Sequence, residues 1–464
     1  MDPYDDLHFM SALDLRAAML ARELSPVELM VRTLERLEAV EPALNAFTSV
    51  MAEQAMRAAY RAQQDINSGR DTGALVGLPI SVKDLLDVAG QLTSFGSKAT
   101  RPRQALADAP CVERLWAAGA GILGKTTTSE FGCKPVGDSP LTGISRNPWR
   151  LSKTPGGSSA GAAASVAAGV TPFAIGTDGG GSIRIPAAFC GLVGIKGQFG
   201  RVPMYPASAT PNLAHVGVLA RTVRDAALLL STISGFDGRD NSSLNAPIPE
   251  YLLACERPVQ GMRIAWSPTL GYATPSNDVV ASCEQAVDVF RELGCTVTVV
   301  DSVMVDPYAH WNAEFYLGVA TRLKDEFDPS VADCLLKARE QTVEGYYFHS
   351  LERLALKRRM RRFFDDYDLL LTPTVPVTAF DTESNMPPEL PNHDIFSWVS
   401  YTYPFNLTGQ PAASVPCGFS GDGLPIGLQI VARSHAETDM FRAAAAYEAA
   451  RPWTQIMPKP RLQA

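Results

Sequence analysis

Two serines and a lysine stand in surroundings that suit nucleophilic catalysis. Ser158 and Ser182 lie twenty-four positions apart in the segment from residue 154 to 186, TPGGSSAGAAASVAAGVTPFAIGTDGGGSIRIP. Ser182 follows three successive glycines, whose peptides can turn sharply and direct several N–H groups at one point. Lys83 has neighbours that predict a desolvated amine with a lowered pKa, namely Ile80, Val82, Leu85 and Leu86. A serine hydroxyl, a neutral amine and convergent N–H groups are what amide hydrolysis needs.

The elements that must position these residues alternate between helices and strands. A helix-like run of small residues, 160–169, lies between the two serines, and Ser11 and Ser25 are predicted helix N-caps. Short apolar runs predict strands at 264–267, 296–300, 369–373 and 426–432. Periodicity predicts helices at 50–66, 223–233, 279–293, 350–364 and 437–450. This alternation indicates an α/β architecture with a largely covered sheet.

Several short motifs occur together at fixed spacing. They are Gly156–Ser159 (GGSS), Gly176–Pro186 (GTDGGGSIRIP), Gly77–Pro79 with Val82–Asp84, Lys125–Thr126 with Ser129–Phe131, Asn147–Trp149 and Pro425–Gln429. Their combination, from about residue 10 to 450, resembles the amidase signature family of serine hydrolases. The resemblance implies a single α/β/α sandwich around a mixed, mostly parallel β-sheet. In it, residues 1–70 form an N-terminal helical segment packed on the domain of residues 71–464.

The resemblance also implies a role for each site residue. Ser182 is expected to be the nucleophile that forms an acyl-enzyme, Ser158 a bridging serine after a cis peptide bond, and Lys83 the terminal base. The predicted oxyanion donors are the backbone N–H groups of Gly179, Gly180, Gly181 and Ser182. Supporting hydrogen bonds are expected from Ser159, Thr177, Asp178 and Arg184. The implied reaction converts a carboxamide to an acid and an amine or ammonia, without a cofactor or metal.

The main alternative is the family's glutamine-hydrolysing subunit of tRNA-dependent amidotransferases. Those subunits hold the charged groups of glutamine with an arginine and an aspartate. The segment from Phe396 to Asn406 lacks the matching acid and carries Val399 and Tyr401 instead. Aromatic clusters at 308–316 and 396–403 are predicted to pack in the core or to line a pocket, where they favour an apolar or aryl amide. We expect the substrate to be a small-molecule amide, and the resemblance implies that the protein forms a homodimer.

Two motifs of other enzyme classes also occur. The sequence from Gly157 to Gly161 matches the GxSxG turn of α/β-hydrolase esterases, with Ser159 as nucleophile. That turn requires a preceding strand, yet 151–155 is a polar turn, and the partner histidine would be one of His215, His310, His349, His393 and His435. The segment 119–126 matches the phosphate-binding pattern GxxxxGK[ST], but a predicted helix precedes its glycines and a predicted strand lies within them. That order argues against nucleotide binding.

Composition excludes several classes of partner. The chain of 464 residues has a net charge of −8 and no prominent Lys/Arg cluster, which argues against nucleic-acid binding. The densest basic run is predicted to form a solvated helix face and consists of Arg358, Arg359, Arg361 and Arg362. Eight dispersed cysteines without a CxxC motif are typical of reduced thiols in a cytoplasmic protein. The acidic N-terminus lacks a secretory h-region. The uncharged stretch 155–177 predicts a buried helix and strand rather than a membrane span.

Overall fold

The computed structural model describes residues 7–70, 72–99, 103–323, 326–390, 393–454 and 458. The strands are β1 Phe47–Val50, β2 Pro79–Lys83, β3 Leu92–Thr93, β4 Arg103–Gln104, β5 Gly121–Thr126, β6 Asp138–Ser139, β7 Gly143–Ile144, β8 Phe173–Asp178, β9 Val193–Lys196, β10 His215–Ala220, β11 Arg263–Trp266, β12 Thr296–Val299, β13 Leu369–Pro373, β14 Ala412–Phe419 and β15 Pro425–Ala432. The α-helices are α1 Ala12–Leu20, α2 Pro26–Leu44, α3 Ala52–Asn67, α4 Pro110–Ala117, α5 Ala160–Ala167, α6 Arg184–Cys190, α7 Val223–Ile233, α8 Tyr251–Ala254, α9 Asn277–Glu292, α10 Tyr308–Ala320, α11 Ala332–Arg339, α12 Val343–Asp366, α13 Pro404–Thr408 and α14 Glu437–Ala450. Short 3₁₀ helices cover Leu7–Phe9, Glu130–Gly132 and Pro329–Val331.

Eleven strands form one mixed sheet in the order β1-β5-β2-β8-β10-β9-β14-β15-β13-β11-β12. Four of its ten neighbouring pairs are parallel: β2 with β5, β2 with β8, β11 with β12 and β11 with β13. The mixed sheet is therefore confirmed, but the expectation of mostly parallel pairing is wrong. The strands at the centre of the sheet pair antiparallel. For example, β14 and β15 are joined by a short turn and form a hairpin.

Helices cover both faces of the sheet, which makes the molecule one α/β/α domain. Because side chains alternate along a strand, Ile80 and Val82 of β2 and Phe173 and Ile175 of β8 join a large apolar cluster on one face with α4, α7 and α14. Ala174 points to the other face, where it packs against the small side chains of α5 and α6. The fully buried helix α5 comes this close to the sheet because its side chains are small. Lys83 directly follows Val82 in the strand, so its side chain points to this second face, as that of Ala174 does.

Most of the predicted elements are present within a few residues of their expected bounds. Ser11 and Ser25 are side-chain N-caps of α1 and α2, and the four predicted strands correspond to β11, β12, β13 and β15. The helix expected to begin at residue 50 begins at 52, because Phe47–Val50 is an edge strand paired with β5. Residues 7–70 therefore contribute a strand to the main sheet as well as helices.

The uncharged stretch 155–177 forms α5 and β8, both buried within the protein. Within the described ranges, no helix is both long and apolar enough to cross a membrane. The eight cysteines are free thiols. The four arginines of the predicted solvated face are exposed on α12.

Candidate active site

Lys83 ends strand β2, which pairs in parallel with both of its neighbours, β5 and β8. The side chain is fully buried, and its Nζ atom is hydrogen-bonded to Ser158 Oγ at 2.7 Å and to Ser159 Oγ at 2.9 Å. The carbonyl oxygen of Thr177 in β8 accepts a further hydrogen bond from Nζ at 3.5 Å. The structure thus brings the predicted base into direct contact with the predicted bridging serine.

Burial lowers the pKa of the Lys83 amine well below that of an ordinary lysine, and the negative charge of Asp178 opposes this shift only partly. The direction agrees with the prediction, but the expected cause needs correction. Ile80 and Val82 point to the opposite face of the sheet, and the amine is enclosed by the α5 side instead. Leu85 does lie beside the site, since a Cβ on Gly132 would be 3.2 Å from Leu85 Cδ1 and 3.0 Å from Ser158 Oγ.

Ser158 and Ser182 belong to segments that lie side by side. The peptide bond between Gly157 and Ser158 is cis, as the resemblance implied, and Ser159 immediately precedes α5. The Ser159 N–H donates to the carbonyl oxygen of Ser182 at 3.1 Å, and the Ser182 side chain is almost completely buried. Among the described residues, no hydrogen bond joins the Ser158 and Ser182 hydroxyls. A proton relay through both hydroxyls therefore stays a prediction.

Side chains from distant segments anchor the glycine loop that precedes Ser182. Three successive carbonyl oxygens of this loop each accept a hydrogen bond from such a side chain. The pairs are Asp178 O with Asn406 Nδ2 (2.9 Å), Gly179 O with Trp311 Nε1 (2.8 Å) and Gly180 O with Thr402 Oγ1 (2.6 Å). Because C=O and N–H point in opposite directions across a trans peptide, these anchors also fix the N–H groups that follow.

The anchored loop leaves fewer free donors than predicted. The Gly181 N–H already donates to Asp178 Oδ1 at 2.8 Å, so Gly181 does not fit the predicted set of oxyanion donors. The N–H groups of Gly179, Gly180 and Ser182 have no protein acceptor in the part of the chain that the structure describes. Glycine is required in the loop, because a Cβ on Gly180 would lie 2.6 Å from the Trp311 ring, and Gly181 has a φ of +129°.

A buried ion pair between Asp178 and Arg184 also supports the glycine loop. Arg184 donates from Nε and Nη2 to the two carboxylate oxygens of Asp178, each at 2.9 Å, and both side chains are fully buried. Burial alone would raise the pKa of Asp178, but the Arg184 charge and hydrogen bonds hold it below its usual range. The remaining Arg184 donors bind Thr402 O, Gln429 Oε1 and Asn406 Oδ1. Asp178 and Arg184 therefore occupy the supporting positions expected for them.

Ser159 and Thr177 also lie where supporting hydrogen bonds were expected. Ser159 Oγ accepts from Lys83 and donates to Thr177 O at 3.1 Å. Sequence reasoning missed Trp311, Thr402 and Asn406 as loop anchors. Asn406 ends a segment that was singled out for its missing acid and its aromatic residues, and nothing local in the sequence distinguishes Trp311 from its aromatic neighbours.

A cavity of roughly 310 Å³ adjoins the candidate site at Thr177. Its lining consists of Leu85, Leu86, Asp87, Phe95, Arg103, Phe131, Thr177, Met204, Pro206, Ala207, Ser208, Ala209 and Arg322. The rings of Phe95 and Phe131 stack at 5.0 Å, and both residues hold positive φ angles, of 57° and 49°. Positive φ is rare for bulky residues and persists only where the surrounding structure enforces it. The cavity wall is therefore mainly apolar and carries a fixed aromatic pair.

The predicted aromatic segments do not line this cavity. Six of their side chains are fully buried in one apolar cluster: Trp311, Tyr316, Phe396, Trp398, Tyr401 and Tyr403. Val399 and Tyr401, which the resemblance implies stand in place of the acid, are both buried in this cluster. These segments therefore act as core that supports the glycine loop, which was one of the two predicted outcomes.

The rival motifs do not form sites of their own class. Gly121 and Gly124 lie within strand β5 rather than in a loop, and Lys125 is buried against Asp84 at 2.7 Å. No strand leads directly into Ser159, because residues 145–158 contain none. The hydrogen bonds of its hydroxyl in the described chain go to Lys83 and Thr177 rather than to a histidine. The described residues contain no group of three or more His, Cys, Asp or Glu side chains arranged to hold a metal ion.

Comparison with known proteins places this geometry among hydrolases of amides. The chain matches the family model Amidase over residues 28–441. It is 36% identical to an acylamidase of Rhodococcus erythropolis, with 98% of each chain covered. It is also 36% identical to a glutamyl-tRNA(Gln) amidotransferase subunit of a Synechococcus species, over 90% of this chain and 93% of that protein. The crystal structure of a bacterial aryl acylamidase of the amidase signature family superposes with a TM-score of 0.90 at 29% identity, covering 97% of this chain and 98% of that one.

Proposed function

The chain belongs to the amidase signature family and is a hydrolase of carbon–nitrogen bonds, and from this premise we propose that it cleaves a carboxamide through an acyl-enzyme on Ser182. The observation that carries the proposal is the 2.7 Å hydrogen bond between Ser158 Oγ and the buried amine of Lys83. A buried, neutral amine next to a hydroxyl is the terminal acceptor that a serine nucleophile needs in a site without a histidine partner.

The reaction proceeds in two halves. Ser182 Oγ attacks the amide carbonyl while its proton passes to Ser158, and the Ser158 proton passes to Lys83 Nζ. The oxyanion accepts hydrogen bonds from the N–H groups of Gly179, Gly180 and Ser182, which are worth about 3 kcal/mol per donor in comparable sites. Ser158 then returns a proton to the departing nitrogen as the C–N bond breaks. Water attacks the resulting ester by the same proton route, releasing the acid and restoring Ser182.

Peptide mass spectrometry of quenched reactions tests the nucleophile. We expect the acyl adduct on the peptide that contains Ser182, and a fall in kcat of about 10⁴-fold or more for Ser182→Ala. Ser165→Ala is the matched control, because Ser165 is a buried serine of α5 whose hydroxyl donates to Ala162 O, outside the site. An adduct on Ser159, or full activity in Ser182→Ala, would refute the proposal.

For the substrate, we propose an apolar or aryl amide, because the cavity beside Thr177 is lined mainly by apolar groups. The carboxylate at its edge, Asp87, is already neutralised by Arg103 at 2.6 Å. The similarity to an acylamidase and an aryl acylamidase supports the same choice. Comparing kcat/KM for an acyl anilide with that for free glutamine tests this, and preference for glutamine contradicts it.

Glutamine hydrolysis within an amidotransferase is the second candidate. Arg322 borders the cavity and could pair with a free carboxylate, and the Synechococcus amidotransferase protein is a relative over nearly the whole chain. Glutaminase activity that appears only with co-purified partner proteins would favour this candidate over the apolar amide.

We also propose that the partner of this chain is a second copy bound through α12. The helix exposes more than half of each of five apolar side chains: Val343, Tyr347, Phe348, Leu351 and Leu354. If two copies of α12 pair antiparallel about Leu351, Glu344 of each copy meets Arg358 of the other, so the charges are complementary. Analytical ultracentrifugation should show a dimer that Leu351→Glu converts to monomer, whereas Leu253→Glu, at an exposed position of α8, should not. A monomeric wild type refutes this.

A further inference from the structure

Two thiols meet where helix α9 packs on strand β14. Cys283 of α9 and Cys417 of β14 are 134 residues apart in the chain, yet their Sγ atoms are separated by only 3.8 Å. All eight cysteines lie within the described ranges, and no other two of them form a thiol–thiol hydrogen bond. Two thiols in contact can be oxidised to a disulfide within one chain, which an isolated thiol cannot.

The backbone of β14 lies close to α9 at this point. Ser282, the residue before Cys283 in the helix, donates from Oγ to the carbonyl oxygen of Cys417 at 3.2 Å. Gly418 follows Cys417, and a Cβ at Gly418 would lie 2.1 Å from Ser282 Oγ, so a larger residue would prevent this approach. A disulfide between a helix and a strand requires such proximity, because its two Cα atoms lie within about 7 Å of each other.

Cys417 is the extra residue of a β-bulge. Pro416 is paired with Gly427 of β15. Gly418 is paired with the residue next to Gly427, so Cys417 is left without a partner in β15. A bulge interrupts the ladder and leaves its extra residue unpaired. The two sulfur atoms need to approach by a further ~1.8 Å to reach the S–S length of about 2.05 Å, and rotation of the side chain of this unpaired residue can supply that movement.

The two thiols differ in their access to solvent. Cys283 is fully buried, whereas Cys417 is half-buried and borders a cavity of roughly 720 Å³ between α9, the end of β14 and the end of α14. Burial raises the pKa of the Cys283 thiol well above its ordinary value. A small oxidant in the cavity therefore reaches Cys417 first, and Cys283 is the protonated thiol behind it.

We propose that Cys283 and Cys417 form a site of oxidative modification, at which a peroxide converts the two thiols to a disulfide that joins α9 to β14. The Cys417 sulfur attacks one peroxide oxygen, and an S–O bond forms as the O–O bond breaks. The second oxygen takes the Cys417 proton and leaves as an alcohol or, from hydrogen peroxide, as water. The Cys283 sulfur then attacks the sulfenic acid on Cys417, and the hydroxyl group leaves as water with the Cys283 proton. The two thiols lose two electrons in total, and the peroxide gains them.

The disulfide forms at the edge of the sheet away from the candidate active site. Ala412, at the start of β14, is paired with Lys196. Lys196 Nζ lies 3.4 Å from His215 Nε2, and His215 is paired with Asp178 at the glycine loop. Because a strand rises about 3.3 Å per residue, Cys417 lies about 16 Å further along β14 than Ala412. The disulfide is therefore expected to stabilise the fold, and the proposal does not depend on amide hydrolysis.

Treatment of the reduced protein with hydrogen peroxide tests the proposal, followed by alkylation and by peptide mass spectrometry without reductant. We expect a cross-linked pair of peptides that contains Cys283 and Cys417 and that dithiothreitol separates again. Because the bond closes a loop of 134 residues, the Tm of the oxidised protein should rise by about 3 °C or more.

Cys417→Ser should abolish both the cross-link and the rise in Tm, and Cys283→Ala should do the same. Cys334→Ser is the matched control, because it removes another half-buried thiol and leaves the pair intact. Thermal melting of each reduced variant checks that it folds, and peroxide-treated Cys417→Ser accounts for oxidation elsewhere in the chain. Absence of the cross-link, oxidation of Cys417 to a sulfinic acid instead, or a rise in Tm that persists in Cys417→Ser overturns the proposal.

Discussion

Replacing Trp311 with phenylalanine isolates the contribution of a loop anchor to catalysis. The substitution deletes the indole N–H that binds the Gly179 carbonyl at 2.8 Å. It retains an aromatic ring to pack on Phe315 and Phe396, whose centroids both lie 4.4 Å from the Trp311 ring. The released carbonyl belongs to the peptide whose N–H group, that of Gly180, is a proposed oxyanion donor.

The size of the effect follows from these two losses. A lost hydrogen bond that leaves a carbonyl unpaired costs about 1–3 kcal/mol, and complete loss of an oxyanion donor costs about 3 kcal/mol. Partial misorientation of the Gly180 N–H should therefore raise the activation barrier by about 1.4–2.7 kcal/mol, which is roughly a 10- to 100-fold fall in kcat. KM should change little, because the cavity lining does not include Trp311.

Steady-state release of p-nitroaniline from an acyl p-nitroanilide measures this, and thermal melting measures the stability change in parallel. Trp398→Phe is the matched control, because Trp398 is also fully buried and its indole N–H donates to a carbonyl, that of Ile395, at 3.2 Å. The control should lose stability but keep its kcat. If both variants lose kcat equally, or if Trp311→Phe hydrolyses the anilide at the wild-type rate, the anchoring argument is wrong.

Three further predictions concern the base, the ion pair and the cavity. Because the pKa of Lys83 is lowered, kcat/KM should rise with pH through one ionisation whose pKa lies below that of free lysine, about 10.4. Lys83→Arg should lose most amide turnover at every pH, since guanidinium stays protonated. Near-normal activity in Lys83→Arg would contradict this prediction. The pKa of Asp178 is lowered by folding, so its contribution to stability is present above about pH 4 and is lost as the pH falls through the lower folded value. Asp178→Asn, which leaves the buried Arg184 charge uncompensated, should cost about 3–5 kcal/mol in urea unfolding at pH 7, and a loss under 1 kcal/mol would contradict the ion-pair argument. Phe131→Ala should lower kcat/KM for aryl amides about tenfold or more relative to acetamide, as measured by product formation, and an equal effect on both substrates would exclude a binding role for the aromatic pair.

Local sequence signals predicted the elements and the three site residues, whereas long-range packing determined what was missed. N-caps and strand runs depend on neighbouring residues, so Ser25 and the strand at 369–373 could be recognised directly. The anchors act across 132 residues for Trp311 and 222 for Thr402, and no local pattern encodes such contacts. Strand direction likewise depends on the path of the whole chain, which explains the wrong expectation of mostly parallel pairing. The neighbours of Lys83 were misjudged because Ile80 and Val82 alternate to the other face.

The distance along the chain between the glycine loop and its anchors has a consequence for synthesis in the cell. Thr402 leaves the ribosome 222 residues after Gly180, and Asn406 leaves it 228 residues after Asp178. At 5–20 residues per second, this delay is roughly 10–45 s. During that interval the nascent chain already contains Lys83, Ser158 and Ser182, but it still lacks Thr402 and Asn406, which anchor two of the three loop carbonyls. Amidase activity should therefore arise only after residue 406 has been synthesised, and messages truncated before codon 402 should yield inert products.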